Sequence, residues 1–132
     1  MIKYLFCIGC ILFAPVMGKA AVGCDEPETQ TEISICAYQS YKAADSDLNA
    51  DYKRAMAYLK QADLDYLPEG AVPGVIVLRD AQRAWITYRD KNCAVKILAY
   101  RGGSIVPLVW ANCLEEMTRA RSEELRRILE GN

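Results

Sequence analysis

Acid–base, nucleophilic and metal chemistry most often draw on histidine, and this chain has none. That removes the commonest general base, the usual partner of a catalytic serine or cysteine, and the commonest metal ligand. Carboxylates are plentiful. However, the adjacent pairs Glu115-Glu116 and Glu123-Glu124 point to different faces of a helix, so neither forms a working pair. No glycine-rich phosphate loop is present. The residues best placed to do chemistry are the six cysteines, and the chemistry they suggest is oxidation to disulfides. No enzyme, cofactor or metal site is expected.

The cysteines must first be sorted by compartment. Met1-Ile2-Lys3 supplies a positive charge, residues 4–17 are almost wholly apolar, and Gly18-Lys19-Ala20 ends in small residues. This pattern reads as a secretory signal peptide over residues 1–20, because the apolar run is short for a bilayer span. An uncleaved anchor is the plainer alternative. A lipoprotein is a third, since Ala21-Val22-Gly23 before Cys24 weakly resembles a lipobox without its usual leucine. Cleavage removes Cys7 and Cys10 and leaves Cys24, Cys36, Cys93 and Cys113. An even number in an exported chain reads as two disulfides. No CxxC or CxxxC pair remains to suggest zinc. The mature chain keeps 14 bases against 17 acids, which is no footprint for nucleic acid or an anionic membrane. Its charge is uneven. Residues 25–65 hold nine acids and four bases, while residues 66–132 hold eight and ten.

Four polar or charged groups form a second candidate set. Leu78, Gln82, Trp85, Arg89 and Cys93 follow one another at steps of four and three, which is one helix face. Gln82 and Arg89 sit on that face among residues that belong in a core, so they need partners. Asp45 and Asn49, on the polar side of the preceding helical pattern, are the expected ones. Gln82, Arg89, Asp45 and Asn49 are therefore expected to form a structural polar network. Trp85 and Trp110 are expected in the core.

The elements that position these residues are three helices. Thr29-Gln30-Thr31-Glu32 matches a capping box. Beyond it, Ile33, Ala37, Tyr41, Ala44, Leu48, Tyr52, Ala55 and Leu59 repeat at steps that keep one face inward, predicting a helix over Thr29–Ala62. Two prolines and two glycines between Leu67 and Gly74 break the pattern. A second helix is expected from Pro73–Val75 to about Tyr100. Arg101-Gly102-Gly103-Ser104 is the next break. Ser104 is the expected cap of a third helix that bears Val106, Trp110, Cys113, Met117, Ala120, Glu124 and Ile128 inward and ends at Gly131. Cys93 and Cys113 lie ten residues on either side of Gly103, so an antiparallel hairpin brings them to one height. The five steps from Cys24 to Thr29 can span roughly 16 Å, enough for the chain to fold back on Cys36, roughly 10 Å up the first helix. The pairings Cys24–Cys36 and Cys93–Cys113 follow, with the less local combinations still possible. The expected fold is all-α: a small three-helix bundle of long antiparallel helices, stapled by two disulfides, in one domain over residues 21–132.

Several blocks together carry a family resemblance. They are Cys24-Asp25-x-Pro27-x-Thr29-Gln30-x-Glu32 with Cys36-Ala37, Ala44-Asp45-x-x-Leu48-Asn49-x-x-Tyr52, and Leu78-Arg79-x-Ala81-Gln82-Arg83-Ala84-Trp85-Ile86-x-Tyr88-Arg89-Asp90-x-x-Cys93. Gly102-Gly103-Ser104-x-x-Pro107-Leu108, Cys113-Leu114 and Thr118-x-x-Arg121 complete the set. The chain resembles the LprI-like lysozyme-inhibitor family of bacterial envelope proteins over essentially its whole mature length. The resemblance implies a periplasmic helical domain that inhibits lysozyme, and it brings no catalytic residues with it.

Two kinds of function are thus expected. The first is a binding protein that blocks a lysozyme or another peptidoglycan hydrolase. Its possible inhibitory loop is Arg101, Gly102, Gly103 and Ser104, a glycine turn on a disulfide-held hairpin that could reach the carboxylates of a hydrolase cleft. The second is a non-catalytic periplasmic adaptor, or an immunity-type protein, that holds a non-lysozyme partner through the acidic first helix.

Overall fold

A computed structural model describes residues 23–130. The expected signal peptide over residues 1–20, its cleavage site and the expected helix stop at Gly131 lie outside the described residues.

Three α-helices carry the fold: α1 (Gln30–Asp65), α2 (Gly74–Lys96) and α3 (Val106–Leu129). A single 3-10 turn, Ile97–Tyr100, follows α2. No strand occurs among the described residues. The protein is an all-α bundle held by two disulfides, Cys24–Cys36 and Cys93–Cys113, with Cα–Cα distances of 5.5 and 5.7 Å.

α1 begins where its sequence says it should. The Thr29 hydroxyl accepts from the Glu32 amide at 3.2 Å, and the Glu32 carboxylate accepts from the amides of Thr29 (3.0 Å) and Glu28 (2.9 Å). Those bonds satisfy backbone donors that would otherwise have no partner in the first turn. They also hold the Glu32 carboxyl below its ordinary pKa, the Thr29 amide contributing most. α1 runs three residues beyond the expected Ala62. Gln61 donates to the Asp65 carboxylate across the last turn at 2.8 Å, and the helix stops only when Tyr66 turns extended.

α2 starts at Gly74 with no cap from its own segment. Its cap comes from α1: Asp63 Oδ1 accepts from the Gly74 amide at 2.9 Å and Oδ2 from the Val75 amide at 3.3 Å. A carboxylate there also suits the positive end of the helix dipole. The helix was expected to continue to Tyr100. Instead it tightens after Lys96 into the 3-10 turn, and Gly102, with φ +80°, reverses the chain. Ser104 does not cap α3. The residue at the cap position is Ile105, already helical at φ −79° and ψ −14°, and no side chain caps it. The chain therefore enters α3 through a turn rather than an extended residue, so Ser104 stands outside capping geometry. Pro107 occupies the first turn, where its missing N–H costs nothing.

The early residues of α1 and α3 share one end of the molecule, and Leu59 and Ile128 share the other. α1 and α3 thus run parallel, and α2 runs antiparallel between its Asp63 cap and the Cys93–Cys113 bridge. The α1–α3 contact is the most extensive. One apolar cluster joins Leu48 and Ala55 of α1, Leu78 of α2 and Leu125 of α3, with Trp85 and Met56 packed against it. A second gathers Cys93, Cys113 and Leu114, with Tyr41, Trp110 and Met117 around them. Both tryptophans are half-buried and pack on these clusters.

The inward face of α3 differs from the expected stripe. Ala111, Cys113, Leu114, Thr118, Ser122 and Leu125 are buried, whereas Ala120 and Glu124 are exposed. Small residues explain the rotation. Ala111, Thr118 and Ser122 on α3, with Ala44 and Ala55 on α1, let the parallel pair approach closely. Larger neighbours such as Met117 pack to one side.

Candidate functional site

Among the described residues, a polar centre and an uncharged cavity stand out as candidate sites. The first is the polar centre around Arg89, which is 7% exposed. Its face of α2 places it opposite Asp45 of α1, whose Oδ1 lies 3.6 Å from an Arg89 terminal nitrogen. The Nε donates to Asp90 at 2.9 Å, and a terminal nitrogen reaches the Thr118 hydroxyl of α3 at 3.5 Å. The guanidinium lies over the Tyr41 and Trp85 rings, 5.6 and 5.1 Å from their centroids, two cation–π contacts strengthened by partial desolvation. The Tyr41 hydroxyl is pushed above its ordinary pKa by burial, partly offset by the Arg89 charge. Asn49 reaches this group only through Asp45. Its amide donates to the Asp45 carbonyl at 2.7 Å and carboxylate at 3.3 Å, within α1. Gln82 belongs to a separate pair: its oxygen accepts from Arg121 Nε at 3.1 Å, and Arg121 also reaches Glu124.

Sequence reasoning missed a second buried charged group. Asp51 is 2% exposed and lies in α1 facing α3. Arg126 donates to its Oδ2 at 2.9 Å, Arg54 pairs with its Oδ1, and Glu123 completes the chain through Arg126. The Glu123 hydrogen bond, more than Asp51, raises the Arg126 pKa. The signal was present: Ala44, Leu48, Asp51 and Ala55 follow at steps of four, three and four, so Asp51 lies on the buried stripe. The basic partners on α3 could have been sought from that. The Ser122 hydroxyl nearby is buried without a hydrogen-bond partner among the described residues.

The second place is a cavity of about 570 Å³ where α1 and α3 begin. Ile35, Tyr38 and Trp110 give it apolar walls, and Gln30, Gln39 and Ser104 supply polar groups. None of its lining residues carries a charge at neutral pH. Gln39 Oε1 also lies 3.2 Å from the Cys24 sulfur, which ties the wall to the first disulfide. Of the loop Arg101–Ser104, all four residues are exposed, but only Ser104 lines the cavity. Among the described residues no cluster of three metal-binding side chains occurs, and no helix is long and apolar enough to cross a membrane.

Comparison with known proteins fits this frame. A Rhizobium meliloti (strain 1021) protein, "Uncharacterized protein R02472", is 38% identical over 109 residues, covering 81% of this chain and 78% of its own. "Uncharacterized protein YecT" of Escherichia coli (strain K12) is 26% identical over 107 residues, covering 77% and 65%. No solved structure matches. The family model "Lysozyme inhibitor LprI" matches residues 24–125, which begin at the first bridged cysteine and end at the buried Leu125. With both disulfides, the Arg89 centre and the α3 packing face inside that span, the chain belongs to the LprI lysozyme-inhibitor family.

Proposed function

We propose that this is an exported, non-catalytic envelope protein that binds and inhibits lysozyme-type peptidoglycan hydrolases. The observation that carries the reading is the family match over residues 24–125. Two disulfides suit an oxidising compartment outside the cytoplasm, the periplasm in a two-membrane cell. An inhibitor needs a rigid surface rather than chemistry. The hairpin end offers one: the Arg101–Ser104 turn projects beside the uncharged cavity and is tethered by Cys93–Cys113. Ser104 and Arg101 are the proposed polar contacts, and Tyr38 and Trp110 the proposed apolar ones. The Arg89 centre is proposed as a structural network, since its groups face one another across three helices.

A second reading rests on charge. The acidic α1 region would hold a basic partner that is not a lysozyme, as an adaptor or immunity protein does. A lysozyme titration on a peptidoglycan cell suspension separates the two. Saturating inhibition near one-to-one stoichiometry supports the inhibitor. Folded, oxidised protein that inhibits no animal or bacterial lysozyme sinks it, and retention of a non-lysozyme partner from envelope extract would favour the adaptor.

A further inference from the structure

α2 carries two faces, and the bundle uses only one. The inner face buries Leu78, Gln82, Arg89 and Cys93. A second apolar row, roughly a quarter-turn or more around the helix, follows a seven-residue repeat. It consists of Val77, Ala81, Ala84, Tyr88 and Val95, with Leu98 just beyond in the 3-10 turn, and its steps alternate four and three once Lys91 is counted. Every member is exposed: Val77 55%, Tyr88 62%, Val95 66% and Leu98 46%. Lys91 is its one charged member, and no ion pair holds it among the described residues.

We infer that this outer face of α2 is an interface for a second copy of this chain, docked antiparallel about a two-fold axis at the height of residue 86. The row is complementary to itself in that register. Val77 meets Val95 of the second copy, and the bulky Tyr88 meets the small Ala84, in each direction, as a two-fold contact requires. Lys91 lies opposite Ala81 and beside the exposed Asp80, an opposite charge whose one ion-pair partner among the described residues is the neighbouring Arg79 at 3.0 Å, so the one polar break in the row gains a shared partner. Leu98 falls opposite Gly74, at the mouth of a largely apolar groove of about 400 Å³ lined by Leu59, Leu78 and Ile128. A parallel pairing would instead set Tyr88 against Tyr88 and Lys91 against Lys91. Large-against-small and unlike-charge matching therefore select one orientation and one partner. One helix pair about 30 Å long gives an interface at the low end of the specific range, below roughly 1,200 Å², so association in the micromolar range is expected. The inference stands apart from the lysozyme reading, since no residue of the row lines the Ser104 cavity.

Sedimentation velocity tests it on oxidised protein purified after export, from about 1 to 500 µM, a span that brackets micromolar dissociation. A concentration-dependent shift from monomer to dimer is expected. Ala84→Glu, at an exposed position, should raise the dissociation constant at least about 30-fold through unpaired interfacial charge, with helicity and melting unchanged. Asp80→Lys and Lys91→Glu should each weaken association several-fold, and the double exchange should restore it. Restoration fixes the antiparallel register. A wild-type chain that stays monomeric throughout, or a dimer indifferent to Ala84→Glu, overturns the proposal. So does a double exchange no better than the singles.

Discussion

Arg89 shows how a single side chain can be expensive to bury and still be kept. A guanidinium this enclosed must have its charge and donors satisfied, and here Asp45, Asp90, Thr118 and two aromatic rings do so. Arg89→Ala should lower unfolding free energy by about 2–3 kcal/mol, because it strips partners from three helices at once. Urea unfolding reads the loss. If the centre is structural, inhibition per folded molecule should fall far less; wild-type stability with lost binding would make Arg89 an interface residue instead. Asp51 is the counterpart on the α1–α3 contact. Arg54 is exposed and Arg126 partly so, so Asp51→Ala leaves both within reach of water, and a smaller cost of about 1–2 kcal/mol is expected. At this scale the sequence was half legible. Arg89 and Gln82 stood out because large polar groups interrupted a core face. Asp51 passed unnoticed because the neighbouring Tyr52 continues the apolar repeat, and Tyr52 too packs on the core cluster.

At the scale of the element, caps and staples differ in what they hold. The Glu32 carboxylate closes the capping box, and its pKa is depressed by the amides it binds. A depressed acid stabilises the fold above its unfolded pKa, and that stability is lost as pH falls through the folded value. Glu32→Ala should therefore separate from wild type near neutral pH, with the two melting curves converging below about pH 4, under the ordinary carboxylate pKa. Curves that stay apart in acid would mean the side chain acts through packing. The two disulfides close loops of similar size, 12 and 20 residues, so chain entropy alone separates them by only about 0.5 kcal/mol. Yet Cys93 and Cys113 are buried in a core cluster, while Cys24 is exposed and Cys36 only half-buried. Replacing Cys93 and Cys113 by alanine should cost at least about 1 kcal/mol more than replacing Cys24 and Cys36, the surplus coming from lost packing. Equal losses in urea would show that loop closure dominates. Element boundaries were legible wherever the cap is local, as at Thr29. They were not where the cap comes from elsewhere: Asp63 caps α2 from the preceding helix, and Ser104, a residue of the right type, caps nothing.

The whole molecule is a parallel α1–α3 pair with α2 laid against it. The helix count, both disulfides and the family were readable from periodicity, cysteine spacing and the block from Leu78 to Cys93. The rotation of α3 was not, because alanine, threonine and serine carry little hydropathic signal while permitting close helix approach. At this scale, inhibition should be salt-sensitive if the acidic half steers a basic hydrolase. Raising salt from about 50 to 500 mM should weaken it several-fold through screening, and Arg101→Ala with Ser104→Ala should weaken it about tenfold or more. Unchanged potency in a folded double variant would move the contact surface away from that loop.

The uneven attachment of α2 has a further consequence for the timing of unfolding. Its contacts with each neighbour are thinner than those between α1 and α3, and its two ends are pinned by an Asp63 carboxylate and a sulfur bridge. A helix fastened in this way behaves as a latch bar. While the bridge is intact, its amides should exchange with deuterium only through global opening. Once Cys93–Cys113 is reduced, amides from Gly74 to Tyr100 should exchange together and ahead of those in α1 and α3, as one cooperative unit. A thiol-rich environment would then loosen a single helix before the rest of the molecule gives way.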